Sequence, residues 1–169
     1  MSMQVFIVNL DRYKEGQIRG GWFDPPIDLE ELKERIGLDE EYKEYAILDY
    51  DLPFEIDEST PVSEINRLCE MVQEIEGSPL YDALSEVQKH WFNSLEELLE
   101  NQDKILYYPD CNDLTDIAKY WLEESGITRL FTEVPFDLET YIDYEAIGRD
   151  FEMKGNFLIT AHGIFEYLK

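Results

Sequence analysis

The chain carries 39 acidic side chains against 14 basic ones, a net charge of −25, yet its longest acidic run is only Asp39, Glu40 and Glu41. Elsewhere the acids alternate with Leu, Ile, Tyr, Phe and Trp. That interleaving excludes an acidic tail, because solvated tails are blocks of like charge without apolar partners at regular spacing. With 44 % hydrophobic residues in 169 there is ample material for a core. The expected product is a packed α+β protein with a highly acidic surface.

Such a surface selects partners. It repels nucleic acid and anionic membrane and attracts basic surfaces at long range, so neither nucleic acid nor membrane is an expected partner. Cys69 and Cys111 stand alone without C-x-x-C spacing, no signal-peptide pattern is present, and no apolar run approaches the length needed to cross a bilayer. A reduced, cytoplasmic protein is expected.

Gln4 to Leu10 reads as a strand followed by a polar turn, DRYKEG, and Arg19 to Phe23 as a second strand ended by Asp24-Pro-Pro. Asp28 caps a helix, LEELKERI, whose Leu29, Leu32 and Ile36 form a stripe and whose Gly37 is the stop. Glu44 to Tyr50 is a further strand. Residues 1–59 are therefore expected to form an N-terminal α/β domain. Pro61 opens a helix at its first position, with Val62, Ile65, Leu68, Val72 and Ile75 in register up to Gly77. Ser78-Pro79 opens a second helix running to Trp91, and Ser94 with Glu97 has capping-box spacing for a third. Residues 60–103 are expected to be a helical domain.

Ile105 to Tyr108 is a strand ended by Pro109, and Asn112 or Asp113 caps a helix reaching Gly126. After a mixed loop comes the stretch YIDYEAIGRD. Asp143 is an N-cap there, Ala146, Ile147 and Phe151 fall at helical spacing, and Gly155 is expected to close the helix in a left-handed conformation. Tyr141 and Tyr144 lie about one turn apart and are expected to share a face. Asn156 to Thr160 and Gly163 to Leu168 are two short strands. Residues 104–169 are thus expected to form a C-terminal α/β domain.

Catalytic patterns are sparse. His90 and His162 lack a recognisable nucleophile partner, and G-x-S-x-G is absent. Asp110, Asp113 and Asp116 could gather around a divalent cation, but acids at a helix start already complement the helix dipole. No Ca²⁺-loop, zinc or phosphate-cradle motif is present. The residues point to a chain that is not an enzyme and takes no cofactor. Its charge is informative in another way. Duplex DNA presents one negative charge per about 1.7 Å of axis, so −25 matches roughly 42 Å, about 12 base pairs. A compact chain of this length is about 40 Å across.

The segments QVFIVNLDRYKEG, EEYKEYAILDYDLPF, LEESG, YIDYEAIGRD and HGIFE resemble the ArdA family of antirestriction proteins, from the first strand to the last. The resemblance implies a DNA mimic of conjugative plasmids and transposons that occupies the DNA-binding groove of type I restriction-modification enzymes. It also implies three small domains in an elongated molecule, forming a homodimer. LEESG to YIDYEAIGRD looks like that family's antirestriction motif, which the resemblance places near the dimer contact. Ile147 stands where tyrosine is common.

On this reading the mimic surface comprises Asp24, Asp28, Glu30, Glu31, Glu34, Asp39, Glu40, Glu41, Glu44, Glu70, Glu74, Glu96, Glu97 and Glu100, whose apolar neighbours turn inward. Candidates for the dimer contact and motif are Tyr141, Asp143, Tyr144, Ile147, Arg149, Asp150, Phe151 and Phe157. Arg149, the lone cation between Glu133 and Glu152, is expected to pair with Glu145 one turn earlier. The expected partner is the methyltransferase core of a type I enzyme. The alternative is an acidic adaptor or chaperone for another basic, DNA-binding partner.

Overall fold

The computed structural model describes residues 2–169. Two compact units divide the chain, 1–85 and 86–169, so the helical stretch 60–103 contributes to both. The fold is mixed α+β with two small antiparallel sheets.

In the first unit, β1 (Gln4–Asn9) runs into a short helix, α1 (Leu10–Lys14), where the sequence predicted only a polar turn. Asn9 is the reason. Its carboxamide oxygen accepts from the Arg12 N–H at 3.2 Å and so caps the helix, while its Nδ2 donates to the carbonyls of Ile36 at 3.2 Å and Gly37 at 3.0 Å. Asn9 is fully buried, and the three strand and helix ends it joins would otherwise leave polar groups unpaired.

β2 (Gly20–Phe23), α2 (Leu29–Ile36) and β3 (Tyr45–Asp51) follow. The strands order as β2-β1-β3, and pairing slips between Phe6, opposite Asp49, and Ile7, opposite Ile47. That slip turns Leu48 outward, 48 % exposed. Asp28 caps α2 through the Glu30 N–H at 2.9 Å, and Gly37 ends it at φ +68°, as the sequence predicts. Leu32 and Ile36 are buried, but Leu29 is half-exposed, so the apolar stripe is one residue shorter than its spacing implies.

α3 (Val62–Gln73) begins one residue later than expected, with Pro61 as the cap rather than the first helical residue. Thr60 is held by the preceding turn, where its hydroxyl bonds Asp57, and the Tyr45 hydroxyl instead accepts from the Val62 N–H at 3.0 Å. Asn66 of α3 grips the loop after Pro26 twice, accepting from the Ile27 N–H at 2.6 Å and donating to its carbonyl at 2.9 Å. The helix predicted from Pro79 to Trp91 is two helices, α4 (Pro79–Asp82) and α5 (Leu84–Trp91), broken at the buried Ala83.

In the second unit, Ser94 caps α6 (Leu95–Glu100) through the Glu97 N–H at 3.1 Å, and the Glu97 carboxylate reaches back to the Asn93 N–H at 2.8 Å. β4 (Ile105–Tyr108) and α7 (Leu114–Glu124) come next. The mixed loop contains 3-10 turns at Ile127–Thr132 and Leu138–Tyr141. α8 (Tyr144–Lys154), β5 (Phe157–Thr160) and β6 (Gly163–Tyr167) complete the chain, with sheet order β4-β6-β5. Gly155 is not left-handed: its φ is −93° and its ψ 167°. Glycine is needed there because a Cβ would lie 2.7 Å from the Phe157 ring. Among the described residues, no helix is long and apolar enough to cross a membrane.

Candidate functional site

The acids of the first unit divide into those bound into local structure and those that only face water. Asp39 accepts from the N–H groups of Tyr42 at 2.8 Å and Glu41 at 2.9 Å, and from Arg12 at 3.2 Å. The backbone bond from Tyr42, more than Arg12, holds its carboxyl below the usual range. Asp28 is spent on its cap. Glu30 and Glu31 stand 3.5 Å from Lys33 and 3.8 Å from Arg35, exposed pairs that contribute little. Asp24, Glu34, Glu40, Glu41, Glu44, Glu70 and Glu74 are all exposed. Of the acids on α6, Glu96 and Glu100 are exposed and Glu97, engaged in its cap, is half-buried. Among the described residues, Asn9 is the buried polar side chain; no Asp or Glu is buried.

Asp113 and Asp116 do not gather with Asp110 into a cluster aimed at an ion. Asp113 accepts from the Asp116 N–H at 2.8 Å, and Asp116 from the Asn112 N–H at 2.9 Å, a reciprocal cap at the start of α7. Burial raises the thiol pKa of both cysteines, Cys69 to about 11, and both are free.

The YIDYEAIGRD stretch is organised by Gly148, which sequence reasoning passed over. α8 crosses α7 so closely there that a Cβ would meet the Leu114 carbonyl carbon and the Thr115 nitrogen at 3.0 Å each. The available signal was a glycine in a helix interior, which is unfavourable unless another backbone needs the space. Asp143 is the N-cap, accepting from the Ala146 N–H at 3.0 Å. Tyr141 and Tyr144 do not share a face. Tyr141 ends a 3-10 turn, 76 % exposed, against Phe136 with ring centroids 6.1 Å apart. Tyr144 is half-buried, its hydroxyl donating to Glu139 at 3.3 Å and its ring under the Lys119 ammonium. Burial, then the Glu139 charge, raises its pKa.

Arg149 makes no ion pair with Glu145 among the described residues; both instead line an open cleft of about 510 Å³ over Gly148. The ion pair on this helix is Asp150 with Lys154, at 3.3 Å. Phe151 and Phe157 pack on each other, centroids 5.5 Å apart, and against the buried cluster of Tyr108, Cys111, Ile117 and Ile164. Ile147 lies on the same side, half-buried.

The HGIFE stretch is equally constrained. Gly163 has φ +124°, and a Cβ would lie 2.5 Å from the Tyr107 ring, whose hydroxyl donates to the His162 carbonyl at 3.0 Å. Beneath it, Tyr108 donates to Glu166 Oε1 at 2.6 Å, an interaction invisible in the sequence. Burial is the main cause of the raised Tyr108 pKa, with the Glu166 bond second.

A search among curated proteins finds no match for this chain. The model of one protein family, antirestriction protein (ArdA), matches residues 5–166, nearly the whole length. The close crossing at Gly148 and the hairpin turn at Gly163 lie within that span, and the chain belongs to the ArdA family of antirestriction proteins.

Proposed function

We propose that this antirestriction protein acts as a mimic of B-form DNA, inhibiting type I restriction-modification enzymes by occupying the DNA-binding groove of their methyltransferase core. The observation that carries this reading is a net charge of −25 with no acidic side chain fully buried among the described residues. Along α2, Asp28, Glu30, Glu31 and Glu34 place four carboxylates over about 9 Å of helix axis. That is one per roughly 2 Å, against one per about 1.7 Å for the duplex. Lys33 and Arg35 offset part of it. Asp24, Glu40, Glu41, Glu44, Glu70 and Glu74 of the first unit are exposed as well, as are Glu96 and Glu100 of the second.

A homodimer joined through residues of about 104–169 belongs to the same reading, since two copies would double the length of mock duplex. Tyr141 is the strongest candidate for that contact, being 76 % exposed. Phe151 and Phe157 are weaker ones, because each is only partly exposed and packs part of its ring on its own unit's core. Three small domains, with divisions near 59 and 103, complete the proposal. The test is ATP-dependent cleavage of unmodified DNA by a purified type I enzyme. Inhibition that needs about one protein assembly per enzyme and is relieved by excess unmodified DNA supports the reading, and cleavage at the uninhibited rate with excess protein contradicts it.

A further inference from the structure

The second unit holds a pocket of about 480 Å³ whose chemistry differs from the rest of the acidic surface. Three of its walls are the rings of Trp121, Phe151 and Phe157, and its polar groups are the carboxylates of Asp150 and Glu166 and the Lys154 ammonium. These walls are held in place. Phe151 and Phe157 pack at 5.5 Å, while Tyr108, buried behind them, contacts Trp121 edge-on at 6.5 Å and Phe157 at 6.2 Å. The same Tyr108 donates its hydroxyl to Glu166 Oε1 at 2.6 Å, which orients that carboxylate. Lys154 pairs with Asp150 at 3.3 Å, with both side chains well exposed, so it is a weakly held occupant of the rim.

We propose that this pocket receives an arginine side chain of the protein's target, a guanidinium stacked on the aromatic walls and bonded to Glu166. The proposal rests on the reading of the protein as a ligand for a basic, DNA-binding surface and adds a discrete site to it. A planar guanidinium stacks on aromatic faces and takes a carboxylate through two N–H groups, whereas an ammonium is compact and more strongly hydrated. Exposed carboxylates elsewhere attract any cation; aromatic walls beside an oriented carboxylate discriminate arginine from lysine.

The test uses the intact protein and two probes of equal charge, N-acetyl-arginine amide and N-acetyl-lysine amide. The Trp121 indole resonance is followed by nuclear magnetic resonance at physiological salt. A saturable shift with the arginine probe, at lower concentration than with lysine, is expected. Glu166→Gln should weaken that binding at least about fivefold, while Glu152→Gln, an equal charge change on α8 outside the pocket lining, leaves it within about twofold. Lys154→Ala should strengthen it by opening the rim. Trp121→Leu, followed through the Phe157 amide, should abolish the arginine preference with the fold retained. Equal response to the two probes, equal effects of Glu152→Gln and Glu166→Gln, or no saturable shift would each overturn the site. These titrations need no restriction enzyme, so failure of the pocket and failure of the inhibitory function are read separately.

Discussion

Replacing Gly148 by alanine should destabilise the second unit, although the same change in an exposed helix would stabilise it. Alanine in a helix interior is favoured over glycine by about 1 kcal/mol. Here the added methyl would lie 3.0 Å from two backbone atoms of α7, Leu114 C and Thr115 N, neither of which can rotate aside as a side-chain tip could. Overpacking of this kind costs about 1–3 kcal/mol. Taking the middle of that range, the net loss is about 1 kcal/mol, a fall in melting temperature of roughly 4–8 °C for a unit of this size. Thermal unfolding by circular dichroism gives the sign directly. Hydrogen exchange locates the effect, which should fall on the first turn of α7 and the middle of α8. A melting temperature that rises in Gly148→Ala would refute the close crossing as the reason for glycine.

Asn9→Leu should cost about 2–4 kcal/mol in urea unfolding, because it strands the Ile36 carbonyl, leaves the Gly37 carbonyl only its Arg12 donor and uncaps α1; a change below about 0.5 kcal/mol would show those groups find water instead. Asp57, held below the usual carboxylate range chiefly by the Ser59 hydroxyl, has a folded pKa under its unfolded one, so its contribution is present above about pH 4 and lost as pH falls through the folded value. Asp57→Asn should therefore be less stable than the parent at pH 7 and converge on it in acid, as followed by denaturant titration at several pH values. Tyr108 has the opposite sign. Its folded pKa is raised, so its contribution is whole below about pH 10 and falls away above it, and Tyr108→Phe should flatten the alkaline limb. Single amide substitutions at Glu34, Glu40 or Glu74 should each weaken inhibition by about 1 kcal/mol or less, whereas neutralising Glu30, Glu31 and Glu34 together should weaken it steeply and reduce its salt dependence; one amide abolishing inhibition alone would contradict a distributed surface.

Helix starts were legible because capping chemistry is local. Asp28, Ser78, Ser94, Asp113 and Asp143 all cap where the sequence places them. Strand positions followed from alternation and from the prolines that end them. What escaped was whatever depended on a distant partner. Helix α1 exists because a buried asparagine at the end of β1 is bonded to residues about 27 positions away. The break at Ala83 is a packing outcome that helical spacing of Leu80, Leu84 and Val87 cannot reveal. Gly155 does end α8, but in extended rather than left-handed backbone, and the Phe157 ring is what excludes a side chain there. Within the candidate site, single residues such as Asp143 could be assigned, but the contact of Tyr108 with Glu166 joins β4 to β6 across 58 positions and has no sequence signature. Arg149 shows the limit of pair spacing: i,i+4 placement beside Glu145 brought no ion pair, and Asp150 took Lys154 instead.

Whether the protein and DNA exclude one another on the target is the most direct test of the account. A type I methyltransferase core is loaded with a fluorescent duplex carrying its recognition site, and this protein is titrated in while anisotropy is read at two salt concentrations. The account predicts complete displacement, with an apparent affinity that falls in parallel with DNA's own as salt rises. A ternary complex in which the duplex stays bound while cleavage is inhibited would contradict it.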